Sequence, residues 1–367
     1  MKQQQHTTDY NSPIGKLYLT ATRKWLNRID FERPAFSIDL ESTEFLETVK
    51  RQLDQYFMGI RHTFDIPLAI EGTAFQKAVY EELERIPYGV TKSYKDIARM
   101  IGNPNAMRAV GTANHVNPIP IIVPCHRVVG IDGNLTGYAY GIEIKKTLLE
   151  LEKRNVSFFQ YGSEAIGHLR SIDDKFKTLV DELGMLHYEL IPDRFQALVY
   201  NIIAQQIATN TAKSIWIEYL EKFERVTPNS IASADFSKLS RRISAHKARA
   251  IQWIASEIIS GHMDLSDFNE MSDEAVVEKL CCIDKVGRWT AQMFLIFTLE
   301  RQNVLSFYDY GIRRGLALLY NFTDISSKNF KTFFEDFREK ASPYGTIASF
   351  YLWNIGSAPS FAKSEDV

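Results

Sequence analysis

Three cysteines in 367 residues are too few for a disulfide framework or a four-cysteine zinc site. Cys281 and Cys282 are sequence neighbours, poorly placed to bridge or to chelate together. No apolar run approaches the roughly 20 residues of a membrane-spanning helix; Met293–Phe297 is among the longest. The stretch Met1–Asn11 is polar and lacks the apolar segment of a secretory signal. Asn134-Leu135-Thr136 fits a glycosylation sequon, but without an export signal it reads as a turn. The chain is therefore expected inside the cell, cytoplasmic or nuclear, in reducing surroundings. Charge of one sign is also lacking: 43 Lys and Arg stand against 45 Asp and Glu, a formal net of −2. That excludes a globally basic nucleic-acid binder and leaves room for a local basic face.

What is present is an ordinary globular balance, 45% apolar, 12% aromatic and 24% charged, over a length that suggests two or three domains. The first part opens with short alternating segments, Lys16–Ala21 and Leu26–Phe31, which read as strands of a small half-buried sheet. Helical spacing follows over Glu44–Met58 (Phe45, Val49, Leu53, Phe57) and Thr73–Ile86 (Phe75, Val79, Leu83). Ser93-Tyr94-Lys95-Asp96 has the form of a capping box, and its helix runs to about Ile101. Gly102-Asn103-Pro104 breaks the chain before Ala106–Asn114, giving a helix-turn-helix candidate. Through Glu150 there are 18 basic and 17 acidic residues; the remainder has 25 and 28. Between Arg85 and Gly130, however, Arg85, Lys92, Lys95, Arg99, Arg108 and Arg127 face only Asp96. A solvated face explains such a tally in isolation; its coincidence with the two-helix candidate favours nucleic acid. Periodicity lapses over Lys153–Asp173, where a linker is expected. Beyond it the spacing predicts helices over Lys175–Leu183, Asp193–Ala208, Thr211–Phe223, Phe236–Leu239, His246–Ile259, Asp273–Leu280, Arg288–Thr298, Tyr310–Leu319 and Gly345–Trp353.

The densest chemistry lies at Pro124-Cys125-His126-Arg127-Val128. A thiolate is a nucleophile, and an imidazole nearby can accept the thiol proton; because adjacent side chains rarely face each other, that contact can run through water. A carboxylate is then wanted to fix the imidazole tautomer, and Glu152, on a helix predicted over Glu143–Asn155, is a candidate. A lone Cys-His pair is also compatible with a small buried hydrophobe. The wider pattern is more specific. Pro124–Val128, with Asn117-Pro118 before it and Thr136-Gly137-Tyr138 after it, resembles the alkylguanine-DNA alkyltransferase family. Ile86-Pro87-Tyr88-Gly89, Ser93-Tyr94, Gly102-Asn103-Pro104 and Arg108-Ala109-Val110-Gly111 resemble it too, over about residues 10–155. The resemblance implies transfer of an alkyl group from guanine O-6 to Cys125, with His126 as water-linked base and Glu152 as its orienting carboxylate. It implies that Asn117 braces the active-site turn, that Arg108 enters the base stack, and that Tyr94 meets the target phosphate and assists the leaving group. Tyr138 is implied as a wall of the guanine pocket. The family places its helix-turn-helix in the minor groove, and flips the target nucleotide out.

In the second part, Val286-Gly287-Arg288-Trp289 forms a tight turn feeding a helix, whose unpaired N–H groups suit a phosphate. Twenty residues after Trp289 comes Asp309, which on its own reads as a helix N-cap. Together with Phe195–Leu198 and Ala204–Ile207, these segments resemble the helix-hairpin-helix DNA glycosylases, 3-methyladenine DNA glycosylase II branch, from about Asp173 to Trp353. The resemblance implies Asp309 as the catalytic carboxylate, Trp289 and Trp353 as base-pocket aromatics that favour a cationic purine, and Gln206 as the wedge in the duplex. Gly287, in the turn whose N–H groups are open, is expected at a DNA phosphate, and Lys285, a departure from the family's glycine there, is positioned to meet another. Bifunctional relatives carry a lyase lysine where Trp289 stands, so base removal without strand cleavage is implied.

Two departures stand out: Lys285 replaces the first glycine of the usual Gly-(Ile/Val)-Gly hairpin, and Met293 replaces an aromatic of some relatives. The cysteine cluster of iron–sulfur relatives is absent, so neither metal nor cofactor is implied, and the extra amino-terminal sheet of the larger members is not found. The expected architecture is α+β. An amino-terminal α/β part covers 1–70, a helix-turn-helix and active-site domain 71–155, a linker 156–172, and an all-α helix-hairpin-helix domain 173–367. The expected partner is alkylated double-stranded DNA, with no membrane and no obligatory protein partner. Two rival readings remain at this stage, a lesion-binding sensor without catalysis and a Cys–His–Glu hydrolase.

Overall fold

A computed structural model describes residues 4–35, 41–223 and 225–356. The chain divides into two compact units between Val156 and Ser157.

In the first unit, β1 (His6–Ser12), β2 (Gly15–Ala21) and β3 (Leu26–Asp30) form an antiparallel sheet in that order. Strand β2 buries Leu17, Leu19 and Ala21 on one face, as its sequence predicts, and also Thr20 on the other. Strand β1 is not foreseen by the pattern, because its inward positions are polar. Several of them find partners: His6 Nδ1 lies 2.7 Å from Glu41 Oε2, Thr7 Oγ1 lies 3.0 Å from Thr20 Oγ1, and the Tyr10 hydroxyl donates to Asp54 at 2.7 Å. Helix α1 (Glu44–Phe57), capped by Thr43, packs Leu46, Val49, Leu53 and Tyr56 inward. Next come α2 (Ala74–Glu84), β4 (Lys92–Ser93), α3 (Tyr94–Met100), α4 (Met107–His115), β5 (Val128–Val129) and α5 (Ile142–Arg154). Ser93 and Asp96 close the capping box that their spacing predicts. Strands β4 and β5 pair in parallel, Lys92 with Val128. This short ladder ties the start of the helix-turn-helix to the strand that leaves Cys125-His126-Arg127.

In the second unit the elements are α6 (Ser163–Arg170), α7 (Asp174–Leu183), α8 (Arg194–Ala204), α9 (Thr209–Lys222), α10 (Pro228–Ala232), α11 (Phe236–Leu239), α12 (Ala245–Ile259), α13 (Asp273–Cys281), α14 (Arg288–Phe297), α15 (Tyr310–Tyr320), α16 (Lys328–Ala341) and α17 (Gly345–Gly356). The linker expected over 156–172 is instead structured. Phe159 is buried, its N–H donates to the Tyr188 carbonyl, and α6 sinks Ala165 and Leu169 into the same core. The helix expected over Asp193–Ala208 stops at Ala204, because Gln205 turns extended (ψ 127°) and Gln206 adopts φ +57°.

Helices α15 and α17 touch backbone to backbone. A β-carbon at Gly315 would collide with the Leu352 carbonyl, and one at Gly356 with that of Gly311.

The hairpin between α13 and α14 holds Lys285 at φ +67°, the left-handed region that a lysine enters at a cost of roughly 1–2 kcal/mol. We expect Lys285→Gly to stabilise the second unit by up to about 1 kcal/mol, part of the relief being lost to the flexibility of glycine in the unfolded chain. A raised urea midpoint for that unit is the readout. The same variant should bind DNA more weakly if the ammonium meets a phosphate.

Two candidate active sites

Cys125 opens a single 3-10 turn, Cys125–Arg127, and is 4% exposed. The turn before it is held by Asn117. Its amide Nδ2 donates to the Val123 carbonyl at 2.8 Å and to Cys125 Sγ at 3.1 Å, while Oδ1 accepts from Ile119 N–H at 3.0 Å. Between those anchors Ile121 sits at φ +77°, a conformation that strains a β-branched residue. The bracing by Asn117 is what over-determines it.

Behind the thiol lies a buried ionic network centred on Glu152, which is 0% exposed. Its carboxylate accepts from His126 Nε2 (2.9 Å), Tyr56 Oη (2.8 Å), the Gly89 N–H (3.0 Å) and Arg127 Nε and Nη2 (both 2.9 Å). Burial opposes its ionisation, but His126 and Arg127 hold the carboxyl well below the ordinary carboxylate range. Burial lowers the His126 pKa, so the ring is neutral at pH 7. Nε2–H therefore faces Glu152, and Nδ1, buried and without a hydrogen-bond partner among the described residues, keeps its lone pair. The Cys125 thiol is pushed up by burial, against the Asn117 amide and the charge of Lys145.

A cavity of about 600 Å³ opens over the sulfur, lined among others by Tyr94, Arg108, Gly111, Asn114, Cys125 and Tyr138. Arg108 is exposed and Cys125 buried, so the cavity joins a charged surface helix to a shielded nucleophile.

In the second unit Asp309 caps α15, and it does more than cap. Oδ1 accepts from the Ile312 N–H (2.9 Å) and from Trp353 Nε1 (2.9 Å), while Oδ2 accepts from Trp289 Nε1 (2.7 Å). Trp353 reaches the carboxylate because of the glycine contact between α15 and α17, and it stacks on Phe297 at 5.8 Å between ring centres. Both indoles are half-buried, and Tyr308 and Tyr310 flank Asp309 in the open. Gln206 is exposed on the turn after α8. That turn is fixed to the hairpin by Gln205, whose Nε2 donates to the Lys285 carbonyl (2.7 Å) and Thr290 Oγ1 (2.9 Å). Gly287 begins α14 with no side-chain cap, leaving its first N–H groups open to an anion.

Two family models cover the first unit: the 6-O-methylguanine DNA methyltransferase ribonuclease-like domain over residues 6–70 and DNA binding domain over residues 74–154. A methylated-DNA–protein-cysteine methyltransferase of Methanosarcina barkeri is 50% identical over 150 residues, 40% of this chain and 95% of the relative. The chain belongs to the methylated-DNA–protein-cysteine methyltransferase family. The constitutive enzyme of Bacillus subtilis is 44% identical over 155 residues, 40% of this chain and 94% of its own length. Residues 199–340 match the HhH-GPD superfamily of base excision DNA repair proteins, so a second repair domain follows the methyltransferase. Among solved structures, the Mycobacterium tuberculosis OGT in complex with DNA is 44% identical over 41% of this chain and 94% of its own (TM-score 0.39). The 3-methyladenine DNA glycosylase Mag1 of Schizosaccharomyces pombe, in complex with abasic DNA, is 28% identical over 55% of this chain and 100% of its own (TM-score 0.48).

The methyltransferase unit thus gathers Tyr94, Arg108, Cys125 and Tyr138 around one cavity, with Asn117, His126 and Glu152 behind the sulfur. The second unit brings Asp309, Trp289 and Trp353 into direct contact, and bonds the turn bearing Gln206 to the hairpin at Lys285 through Gln205, with Gly287 two residues further on. Sequence reasoning misses several participants. Arg127 and Tyr56 complete the shell of Glu152; from sequence, Arg127 reads only as surface charge. Lys145, 0% exposed, donates to the carbonyls of Val128 (2.6 Å) and Thr136 (3.0 Å), and burial lowers its pKa to about 8. Its signal is a lysine on the inward stripe of α5, three residues from Leu148 and seven from Glu152. Asn114 is 9% exposed and lines the cavity with both side-chain polar atoms unpartnered among the described residues.

Proposed function

We propose that the chain repairs alkylated DNA by two separate chemistries. In the first, a nucleotide swings out of the duplex into the cavity over Cys125, at a cost of a few kcal/mol, and Arg108 fills the gap. His126 Nδ1 takes the thiol proton, through water. The thiolate then attacks the alkyl carbon on guanine O-6, the carbon–oxygen bond breaks, and the guanine leaves with a proton delivered from Tyr94. The thioether that forms does not hydrolyse, so each molecule acts once. The observation that carries this reading is a buried thiol lining a cavity, backed by an imidazole hydrogen-bonded to a buried carboxylate. A reducing compartment keeps that thiol free.

In the second, an alkylated purine such as 3-methyladenine is excised. Alkylation makes the base cationic and a good leaving group. The glycosidic bond breaks toward water, Asp309 offsets the positive charge growing on the deoxyribose, and the base leaves neutral. Trp289 and Trp353 bracket the carboxylate and offer aromatic faces to a cationic ring. With Trp289 in place of a lyase lysine, the abasic strand stays uncut.

Purified protein offered a panel of defined lesions tests both halves. A stable alkyl adduct on Cys125 by mass spectrometry supports transfer; no adduct supports a sensor, and ester turnover a hydrolase. Free alkylpurine over an intact strand supports excision.

Arg108→Ala should slow repair of duplex far more than reaction with the free alkylated base; equal slowing would remove the intercalating role. Lys145→Met should raise the thiol pKa further by removing a cation. We expect transfer at pH 7 to slow and its pH profile to move to higher pH, read from the rate of adduct formation across pH; an unmoved profile would show that Lys145 does not act on the thiol.

A further inference from the structure

From Phe236 to Ser256 the chain carries Lys238, Arg241, Arg242, Lys247 and Arg249 together with His246, and no carboxylate. This is the reverse of the surrounding balance, since residues 151–367 hold 25 basic and 28 acidic side chains. Lys238, Arg241, Arg242, His246 and Arg249 are all at least partly exposed. Glu218 of α9 reaches the run, 3.3 Å from Arg242 and 3.8 Å from Arg241, and it also pairs with Lys222. One carboxylate against three cations leaves an excess of positive charge. At the two ends, Asp235 caps α11 and Glu257 pairs with His262.

The position of this run is fixed by hydrogen bonds. Lys247 Nζ donates to the carbonyls of Ile203 (2.9 Å) and Gln205 (2.6 Å), so the first turn of α12 closes the end of α8 and borders the turn that bears Gln206. Arg242 Nη1 donates to Ser214 Oγ at 2.9 Å, on the helix that begins directly after the same turn. On its other side that turn is bonded to the hairpin through Gln205 and the Lys285 carbonyl. Hydrogen bonds therefore join the hairpin, the Gln206 turn and the basic run in that order.

We propose that the Lys238–Arg249 segment binds backbone phosphates of the duplex on the flank of the flipped nucleotide opposite the hairpin. This inference rests on the excision reading of the second unit. A duplex opened at one nucleotide is kinked, and holding it bent requires contacts on both sides of the opening. The hairpin supplies one side through uncapped N–H groups. The basic run supplies the other through side-chain charge, which is blind to sequence and suits a protein that reads lesions. Arg249 lies over the Phe236 ring, 5.9 Å from its centre, which holds its guanidinium at the surface.

The test uses the full chain with Lys238→Gln, Arg241→Gln and Arg249→Gln combined, and measures base release from a lesion duplex across salt concentrations. The expected result is a kcat/KM at least about ten-fold lower near 0.1 M salt, with a log–log salt dependence flatter by about 2–3. The single-turnover rate at saturating protein, and adduct formation on Cys125, should be unchanged. Shortening the duplex on one side of the lesion should weaken the wild type and leave the variant indifferent. A charge-preserving set, Lys238→Arg, Arg241→Lys and Arg249→Lys, should behave as wild type. An unchanged salt dependence and kcat/KM in the glutamine variant would overturn the proposal. So would a lowered single-turnover rate with the salt dependence intact. A wild-type chain that releases no base from any lesion would overturn the excision reading and this inference together.

Discussion

Asp309→Asn is expected to cut base release by about a thousand-fold or more, in the range lost when a preorganised charge-stabilising group is removed from an active site. Binding to an abasic or lesion duplex should stay within a few-fold of wild type, since the hairpin is untouched. The arrangement of donors explains why so small a change matters. The substituted amide can keep its carbonyl on the Ile312 N–H and the Trp353 indole, but its NH₂ then confronts the Trp289 N–H, a donor against a donor. The substitution removes the negative charge and loosens the Trp289 indole, one wall of the proposed base pocket, together. Trp289→Phe separates the two effects: it deletes one donor, keeps the charge, and should cost far less. Release by Asp309→Asn at the wild-type rate, measured by chromatography of the free base, would end the assignment of the aspartate.

Glu152→Gln carries the second large effect, on the first unit. Arg127 would keep its burial and its bond to the Ile86 carbonyl (2.6 Å) but lose its counter-charge. Breaking a buried ion pair in this way costs about 3–5 kcal/mol. His126 would lose the acceptor that selects its tautomer, so transfer to Cys125 should fall as well. The acid behaviour follows from the same carboxyl. Its pKa is lower in the folded protein than in the unfolded chain, so its stabilising contribution is complete above about pH 4.5 and lost as pH falls toward the folded value. Wild-type first unit should therefore lose stability steeply below about pH 4.5, and Glu152→Gln should show a shallower acid limb from a lower plateau. Parallel acid limbs in the two proteins would show that the carboxylate is not the group responsible.

Most of the helical frame was legible because its apolar residues recur at helical spacing next to recognisable caps, as at Thr43, Thr73 and Ser93. What escaped has identifiable causes. Strand β1 buries His6, Thr7 and Thr8, and three consecutive buried polar residues leave no alternation to read. Helix α6 lies in a stretch interrupted by glycine and serine, where two buried positions are too few to mark a period. Helix α16 was readable, since Phe330, Phe334, Phe337 and Ala341 form a regular stripe, but the surrounding charges masked it. In the candidate sites, the motif residues that the fold brings together were recognisable because their order along the chain is distinctive. Lys145 and Asn114 were not, because their significance lies in what they lack: water around a cation, and partners for an amide. Neither property exists until the chain is folded. The hydrogen bonds from both indoles to Asp309 were equally invisible, since spacing in sequence says nothing of which way an N–H points.

The bare-backbone contact of α15 and α17 has an evolutionary corollary. Because no side chain cushions Gly315 and Gly356, and a β-carbon at Gly311 would press on the Trp353 indole itself, the distance between the carboxylate and that indole is set by the two main chains, and one methyl group is enough to change it. Alanine at Gly315 would act as a shim, displacing the indole while the aromatic core beneath stays largely assembled. Drift at these three positions is thus a short route from a working excision domain to one that still grips damaged DNA but no longer cuts the base away.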